Sequence, residues 1–180
     1  MTRIRILERS DMNDAQGKTY DKVKAAGGPV GGPYYAYIRN PRLMEASQEM
    51  GNTLRESPLS GPERQIAVLT AVRFWNSKYP WYAQARASLA AGVSQATIDA
   101  INHRQPVKLA NPREQMAHDL AQELLEKKSL SEATYKAAEK LFSEEELVAL
   151  IAVTGQFSMV SCTANAYDIT PPTDGAKLAD

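Results

Sequence analysis

Apolar residues recur along this chain at intervals of three and four, and short clusters rich in glycine, proline and serine interrupt them. That spacing predicts helices with one buried face rather than strands. A first helix is expected from about Asn13 to Ala26, stopped by Gly27-Gly28, and the loop GGPVGGP (Gly27 to Pro33) follows. Pro41 opens a second helix whose apolar positions are Leu43, Met44, Met50 and Leu54. Ser60 caps a third, with Glu63 three residues on as in a capping box, and Ile66, Ala67, Leu69, Val72 and Trp75 within it. Pro80 marks a break, or the first turn of a fourth helix ending at Gly92. Ser94 caps a short fifth that ends near His103, and Asn111-Pro112 starts a sixth running to about Lys128. Ser131 and Ser143 cap the last two, and Glu144, Glu145 and Glu146 suit the first turn of the final one. Alternating β-branched runs and Asn-Gly hairpin turns do not occur. The expectation is all-α: one domain over 1–180, of about eight helices. Residues 1–31 form an N-terminal helix and glycine-rich loop, and 172–180 form a loose tail.

The stretch Val148 to Tyr167 carries no charge, but Thr154, Gln156, Ser158, Ser161, Thr163 and Asn165 would be costly in lipid, so it reads as a buried helix rather than a membrane span. Thr154, Ser158, Ser161 and Asn165 step by four, three and four into one polar stripe, which suits helix packing better than a cavity lining. Lysine plus arginine equals aspartate plus glutamate at 21 each. Without a basic stripe, nucleic-acid and anionic-membrane partners are not expected, and near-zero net charge is compatible with self-association. The N-terminus lacks the apolar core of a signal peptide, so a cytoplasmic location is expected. The lone cysteine, Cys162, excludes an internal disulfide or a CxxC pair and is expected to be an inert, buried thiol. His103 suits a helix C-terminus and His118 an exposed or rim position; two scattered histidines make no zinc set, so no metal is expected.

The candidate chemistry centres on Gln65 and Gln84, nineteen residues apart on neighbouring helices. An amide neither takes up nor releases a proton near neutral pH, but it donates and accepts hydrogen bonds. At about 100° per residue, Gln65, Leu69, Val72 and Asn76 share one helix face with Arg73 beside it, whereas Glu63 points almost the opposite way. Tyr34, Tyr35 and Tyr37 follow the glycine loop with Arg39 close behind, offering hydroxyls, an aromatic wall and a clamp for a carboxylate, or else a core edge with a solvated arginine. Arg73, in an apolar helix, needs a partner: a structural ion pair by preference, or a substrate carboxylate. The loop Gly27 to Pro33 lacks the Lys-Ser/Thr of a phosphate cradle and reads as a connection or a lid.

Glu63-Arg64-Gln65-Ile66-Ala67-Val68-Leu69, Arg73, Trp75-Asn76-Ser77, Tyr79, Trp81-Tyr82-Ala83 and Ala91-Gly92-Val93-Ser94 occur in an order that resembles the carboxymuconolactone decarboxylase family and, more widely, the alkylhydroperoxidase D-like superfamily. The stretch Gly32 to Leu43 and the final helix ending Asn165-Ala166-Tyr167-Asp168 fit as well, so the resemblance covers most of the chain. In the redox branch a glutamate, a CxxC pair and a histidine form a relay; by its spacing they fall on Gln65, Ser77, Pro80 and Gln84, all four replaced here. In the decarboxylase-like branch the cysteines are dispensable, but a glutamate and a histidine are common at the two glutamine positions. The resemblance therefore implies a cofactor-free lyase or isomerase acting on a small carboxylated lactone or aromatic-derived compound. Gln65, Gln84, Tyr79 and Tyr82 would be the catalytic groups, and Tyr34, Tyr35, Tyr37, Arg39, Arg73, Trp75, Asn76 and Trp81 would bind substrate. The alternatives are a binding or assembly protein that kept the fold, and less readily a hydroperoxide-reducing enzyme. The resemblance also implies a homo-oligomer, a trimer or hexamer.

Overall fold

A computed structural model describes residues 2–180. Among the described residues it contains a 3₁₀ turn at Arg9–Asp11, nine α-helices and no strand. The helices are α1 (Asp14–Ala25), α2 (Tyr34–Tyr37), α3 (Pro41–Arg55), α4 (Gly61–Phe74), α5 (Lys78–Ala90), α6 (Gln95–Asn102), α7 (Pro112–Lys127), α8 (Glu132–Ala138) and α9 (Glu144–Ala166). The all-α expectation holds, and so do the caps that carried it. Asn13, Ser60 and Ser143 each accept a backbone N–H while Gln16, Glu63 and Glu146 reach back, closing three capping boxes.

The count of eight misses α2, a single turn between the glycine loop and Pro41. Its four residues, Tyr-Tyr-Ala-Tyr, give too short a window for a helical period to show. The helix α5 starts at Lys78, so Pro80 lies in its first turn and marks no break, because a proline there gives up only an N–H that has no intrahelical acceptor.

Helix α4 is the centre. Every residue from Gln65 to Arg73 is buried, and α7, α9 and α5 surround it. A helix apolar on all sides has no solvent face, so it must be enclosed. Ile66, Val68, Leu69, Val72, Leu120, Leu150 and Val153 form the main core with Trp81. A smaller cluster of Val23, Tyr37, Ile38 and Met44 joins α1, α2 and α3. The apolar helix α9 is long enough to cross a membrane, yet half of its most apolar window is buried inside the protein, where it packs on α3, α4, α5 and α7.

Arg113, at the start of α7, ties two other helices together. Its Nε donates to Glu63 Oε1 at 2.6 Å, its Nη2 to Glu146 Oε1 at 2.6 Å, and its guanidinium lies 4.3 Å from the Phe142 ring centre. Glu63 and Glu146 are the capping-box acids of α4 and α9, so one cation locks both N-termini. Burial pushes the Glu63 carboxyl up, but hydrogen bonds from Arg113 and the Ser60 N–H outweigh it and hold it below the ordinary carboxylate value.

Four local expectations are corrected. The tail is not loose: Asn102 Nδ2 donates to Lys177 O at 3.0 Å, Ala179 N donates to Asn102 Oδ1 at 2.9 Å, and Leu178 packs against the core. Cys162 is exposed, because it sits one position off the buried stripe. His118 is buried, with Nδ1 2.9 Å from Asp119 Oδ1. Arg73 has no acidic side-chain partner among the described residues; its Nε donates to Asn102 O at 2.7 Å. The polar stripe of α9 serves packing: Thr154 and Ser161 are buried, the Ser158 hydroxyl donates to Thr154 O, and Asn165 Nδ2 donates to Trp75 O at 2.7 Å.

Candidate functional site

Helices α4 and α5 are consecutive, joined by Trp75 to Ser77, and packed side by side. That hairpin brings the two glutamines together: Gln65 Nε2 donates to Gln84 Oε1 at 3.4 Å. They face a cavity of about 410 Å³. In this arrangement Gln84 Nε2 and Gln65 Oε1 make no other hydrogen bond among the described residues, so a donor and an acceptor stay available to a ligand. A third amide lines the same space. Gln156 of α9, with its Nε2 3.4 Å from Ser47 O, stands beside an apolar wall of Val68, Val153, Phe157 and Val160.

The glycine loop closes one side. Gln48 Nε2 donates to Pro29 O at 2.7 Å, pinning the loop to α3. Gly31 and Gly32 then lie flat on Tyr79. A Cβ on Gly31 would stand 2.8 Å from the Tyr79 hydroxyl, and one on Gly32 would stand 2.2 Å from Cε1 of its ring. Gly32 also has φ of +65°, which side chains resist. Tyr34 and Tyr79 both face the cavity. Burial pushes both hydroxyls up, and for Tyr79 the neighbouring Tyr35 and Tyr82 add to it. Both are therefore proton or hydrogen-bond donors at neutral pH and not bases.

Two residues escaped the sequence reading. Arg55, in the last turn of α3, and Arg64, in the first turns of α4, both line the cavity. Arg64 Nη1 donates to Arg55 O at 3.3 Å and Arg55 Nη2 donates to Asn52 Oδ1. Neither forms an ion pair with an acidic side chain among the described residues. Burial, and then the charge of Arg55, lower the pKa of Arg64. The lining includes no aspartate, glutamate, histidine, lysine or cysteine, so these two arginines are its whole formal charge. The signal was present: Arg64 and Val68 are four residues apart and share a helix face, and both line the cavity.

Of the twelve residues singled out from sequence, Gln65, Gln84, Tyr34 and Tyr79 line this space and the rest do not. Tyr35 faces a smaller cavity of about 210 Å³ next door, across Tyr34. Tyr37 is buried with its hydroxyl 3.1 Å from Thr163 Oγ1. The Tyr82 ring is 6.1 Å from that of Tyr79 and lies against Gly175 of the tail. Arg39 bridges the carbonyls of Tyr35 and Arg5 and so joins chain segments rather than a ligand. Trp75 and Asn76 follow the end of α4, roughly 15 Å along the axis from Gln65. Trp75 is exposed against Phe74, while Asn76 Oδ1 accepts from Arg73 and, at 2.9 Å, from Arg104. Trp81 belongs to the main core. Among the described residues no group of three or more His, Cys, Asp or Glu side chains is arranged to hold a metal ion.

Comparison with solved structures identifies the fold. A peroxidase-related protein from a Silicibacter species superposes with a TM-score of 0.78 at 22% identity, over 97% of this chain and 93% of that one. A peroxidase-related protein from Ralstonia eutropha, described as an alkylhydroperoxidase AhpD core, superposes at 0.76 and 16% identity, over 96% and 93%. A protein of unknown function from Agrobacterium tumefaciens, described as an AhpD candidate for antioxidant defence, gives 0.70 at 15% identity, over 80% and 100%. No family profile matches the sequence, and no curated protein matches it. At these identities the likeness carries the architecture, and the architecture is the alkylhydroperoxidase D-like one that the central stretch resembles.

Proposed function

We propose that the chain is a cofactor-independent lyase that removes carbon dioxide from a small carboxylated lactone or related aromatic-derived acid in the Gln65–Gln84 cavity. One observation carries this reading: two arginines and several hydrogen-bond donors converge on a space that no carboxylate, imidazole or thiol lines. Abstraction of a proton from carbon needs a base, so isomerisation fits poorly. Loss of carbon dioxide does not, because the substrate carboxylate is already ionised. The C–C bond breaks, its electron pair passes into a conjugated carbonyl, and carbon dioxide departs. Gln84 Nε2 and Arg64 stabilise the enolate oxygen, and Arg55 holds a second carboxylate where the substrate has one. The carbon then takes a proton from the hydroxyl of Tyr79 or Tyr34, which water restores. Arg55 and Arg64 thus replace Arg39 and Arg73 as the carboxylate-holding pair. Hydroperoxide reduction through the relay positions is ruled out on chemistry, since Ser77 and Pro80 offer no thiol.

The same missing base favours a second reading, in which the cavity binds small acids without converting them. A panel of carboxylated lactones and aromatic-derived acids, assayed for both binding and carbon dioxide release, separates the two. Under the lyase reading Gln84→Ala lowers turnover about 100-fold with little change in melting temperature. A loss of twofold or less removes Gln84 from the mechanism, and tight binding without any release favours the binding protein. The proposal extends to self-association. Val148 (67% exposed) and Ile151 (40%) stand out from α9 as an apolar face, and light scattering coupled to gel filtration reads the subunit number.

A further inference from the structure

We propose that a second cavity, of about 330 Å³ between α4, α6 and α7, binds a small carboxylic acid with an apolar body. This site is separate from the glutamine cavity: the two share no lining residue. Its floor is apolar, from Phe74, Ile101, Val107 and Leu125. Two arginines, Arg73 and Arg104, stand at one end. Arg73 is only 5% exposed, yet its guanidinium meets no acidic side chain among the described residues. Its Nε donates to Asn102 O, its Nη1 to Asn76 Oδ1, and its Nη2, at a longer 3.3 Å, to the main-chain oxygen of Asp180. Arg104 donates to the same Asn76 Oδ1 at 2.9 Å, so one amide oxygen serves two cations.

The backbone is bent to make that meeting. Asn76 and Arg104 follow the caps of α4 and α6 with φ of +49° and +53°. Asparagine is common in this left-handed position after a helix, but a long side chain such as arginine is not. Strain of this kind persists where the surroundings hold a site in place. Each helix carboxyl end offsets about half a charge. Two whole cations against two half-charges leave the arginine end of the cavity positive before the Glu126 carboxylate, also in its lining, is counted. Glu126 also lines it, but it is exposed, Gln122 donates to it at 3.0 Å, and it pairs with neither arginine. A buried cation beside a second one is unfavourable until an anion joins them. A carboxylate fits because it takes paired N–H donors, while the floor covers the body of the molecule.

Benzoate, benzyl alcohol and inorganic phosphate, each titrated into the ¹⁵N-labelled full chain, test this. Benzoate is expected to shift the amides of Arg104, Gln105 and Val107 saturably, with benzyl alcohol about tenfold weaker and Arg104→Gln weakening benzoate about tenfold. Arg104 is exposed, so its substitution leaves the fold intact, and the variant's spectrum verifies that. Four outcomes overturn the proposal. They are benzoate shifts confined to the Gln65–Gln84 cavity, equal binding of benzyl alcohol, unchanged affinity in a folded Arg104→Gln, and phosphate binding more tightly than benzoate.

Discussion

Replacing Arg113 with methionine tests how the bundle is held at one end. The substitution keeps the apolar stem against Phe142 and removes the guanidinium. It abandons Glu63, whose side chain is 4% exposed, and Glu146 at 16%. Removing one partner of a buried ion pair costs about 3–5 kcal/mol. The Arg113 side chain is itself 31% exposed, so the low end, about 3 kcal/mol, is expected near pH 7. For a domain of this size that is a fall in melting temperature of roughly 6–12 °C.

The pH dependence makes the test sharper. In the intact protein both carboxyls sit below their ordinary value of 4.5 when folded. Their contribution is therefore complete above about pH 4.5 and fades as pH falls through the lowered folded values. In Arg113→Met the two part ways. Glu63 keeps its burial, the largest influence on it, and loses its strongest lowering contact, so its pKa rises in the variant and acid takes less from the variant than from the parent. Glu146 keeps its Ser143 cap, which outweighs its burial. The loss caused by the substitution should thus shrink between pH 7 and pH 4, measured by urea unfolding followed by circular dichroism. A variant within about 1 kcal/mol of the parent at pH 7, with the same pH dependence, would refute the clamp.

Two further expectations concern the loop and the tryptophans. Gly32→Ala should destabilise by about 2 kcal/mol or more, since φ is +65° and the new Cβ would strike Tyr79; Gly27→Ala, at φ +71° with nothing within 4 Å, should cost only about 1 kcal/mol for its backbone. Equal costs in urea unfolding would show that the loop does not rest on the ring. Trp81 is 1% exposed and Trp75 is 37% exposed. Trp75→Phe should therefore leave a blue-shifted emission that acrylamide quenches weakly, and a readily quenched spectrum would place Trp81 outside the core.

How much of this was legible beforehand varies from residue to residue. The capping box at Ser60 and the cap at Ser143 were plain because a cap is a local bargain between residues three apart. The glutamine pair was plain because two adjacent helices joined by a short turn can pack only side by side. The hidden features join distant segments. Arg113 meets acids 50 and 33 residues away, the tail reaches Asn102 from 75 and 77 residues away, and nothing in a helical period registers such partners. The acceptors of Arg39, and two of the three that Arg73 meets, stayed hidden because they are backbone carbonyls, which every residue carries and no pattern marks.

Local chemistry in the chain determined the helices, their ends and the amide character of the central pair, since those follow from spacing, capping groups and what an amide can do with a proton. Only the packed molecule decided which charges face the glutamine cavity. Arg55 and Arg64 come from different helices, and a buried charge is assigned its partner by whatever the fold sets beside it, not by its neighbours in sequence.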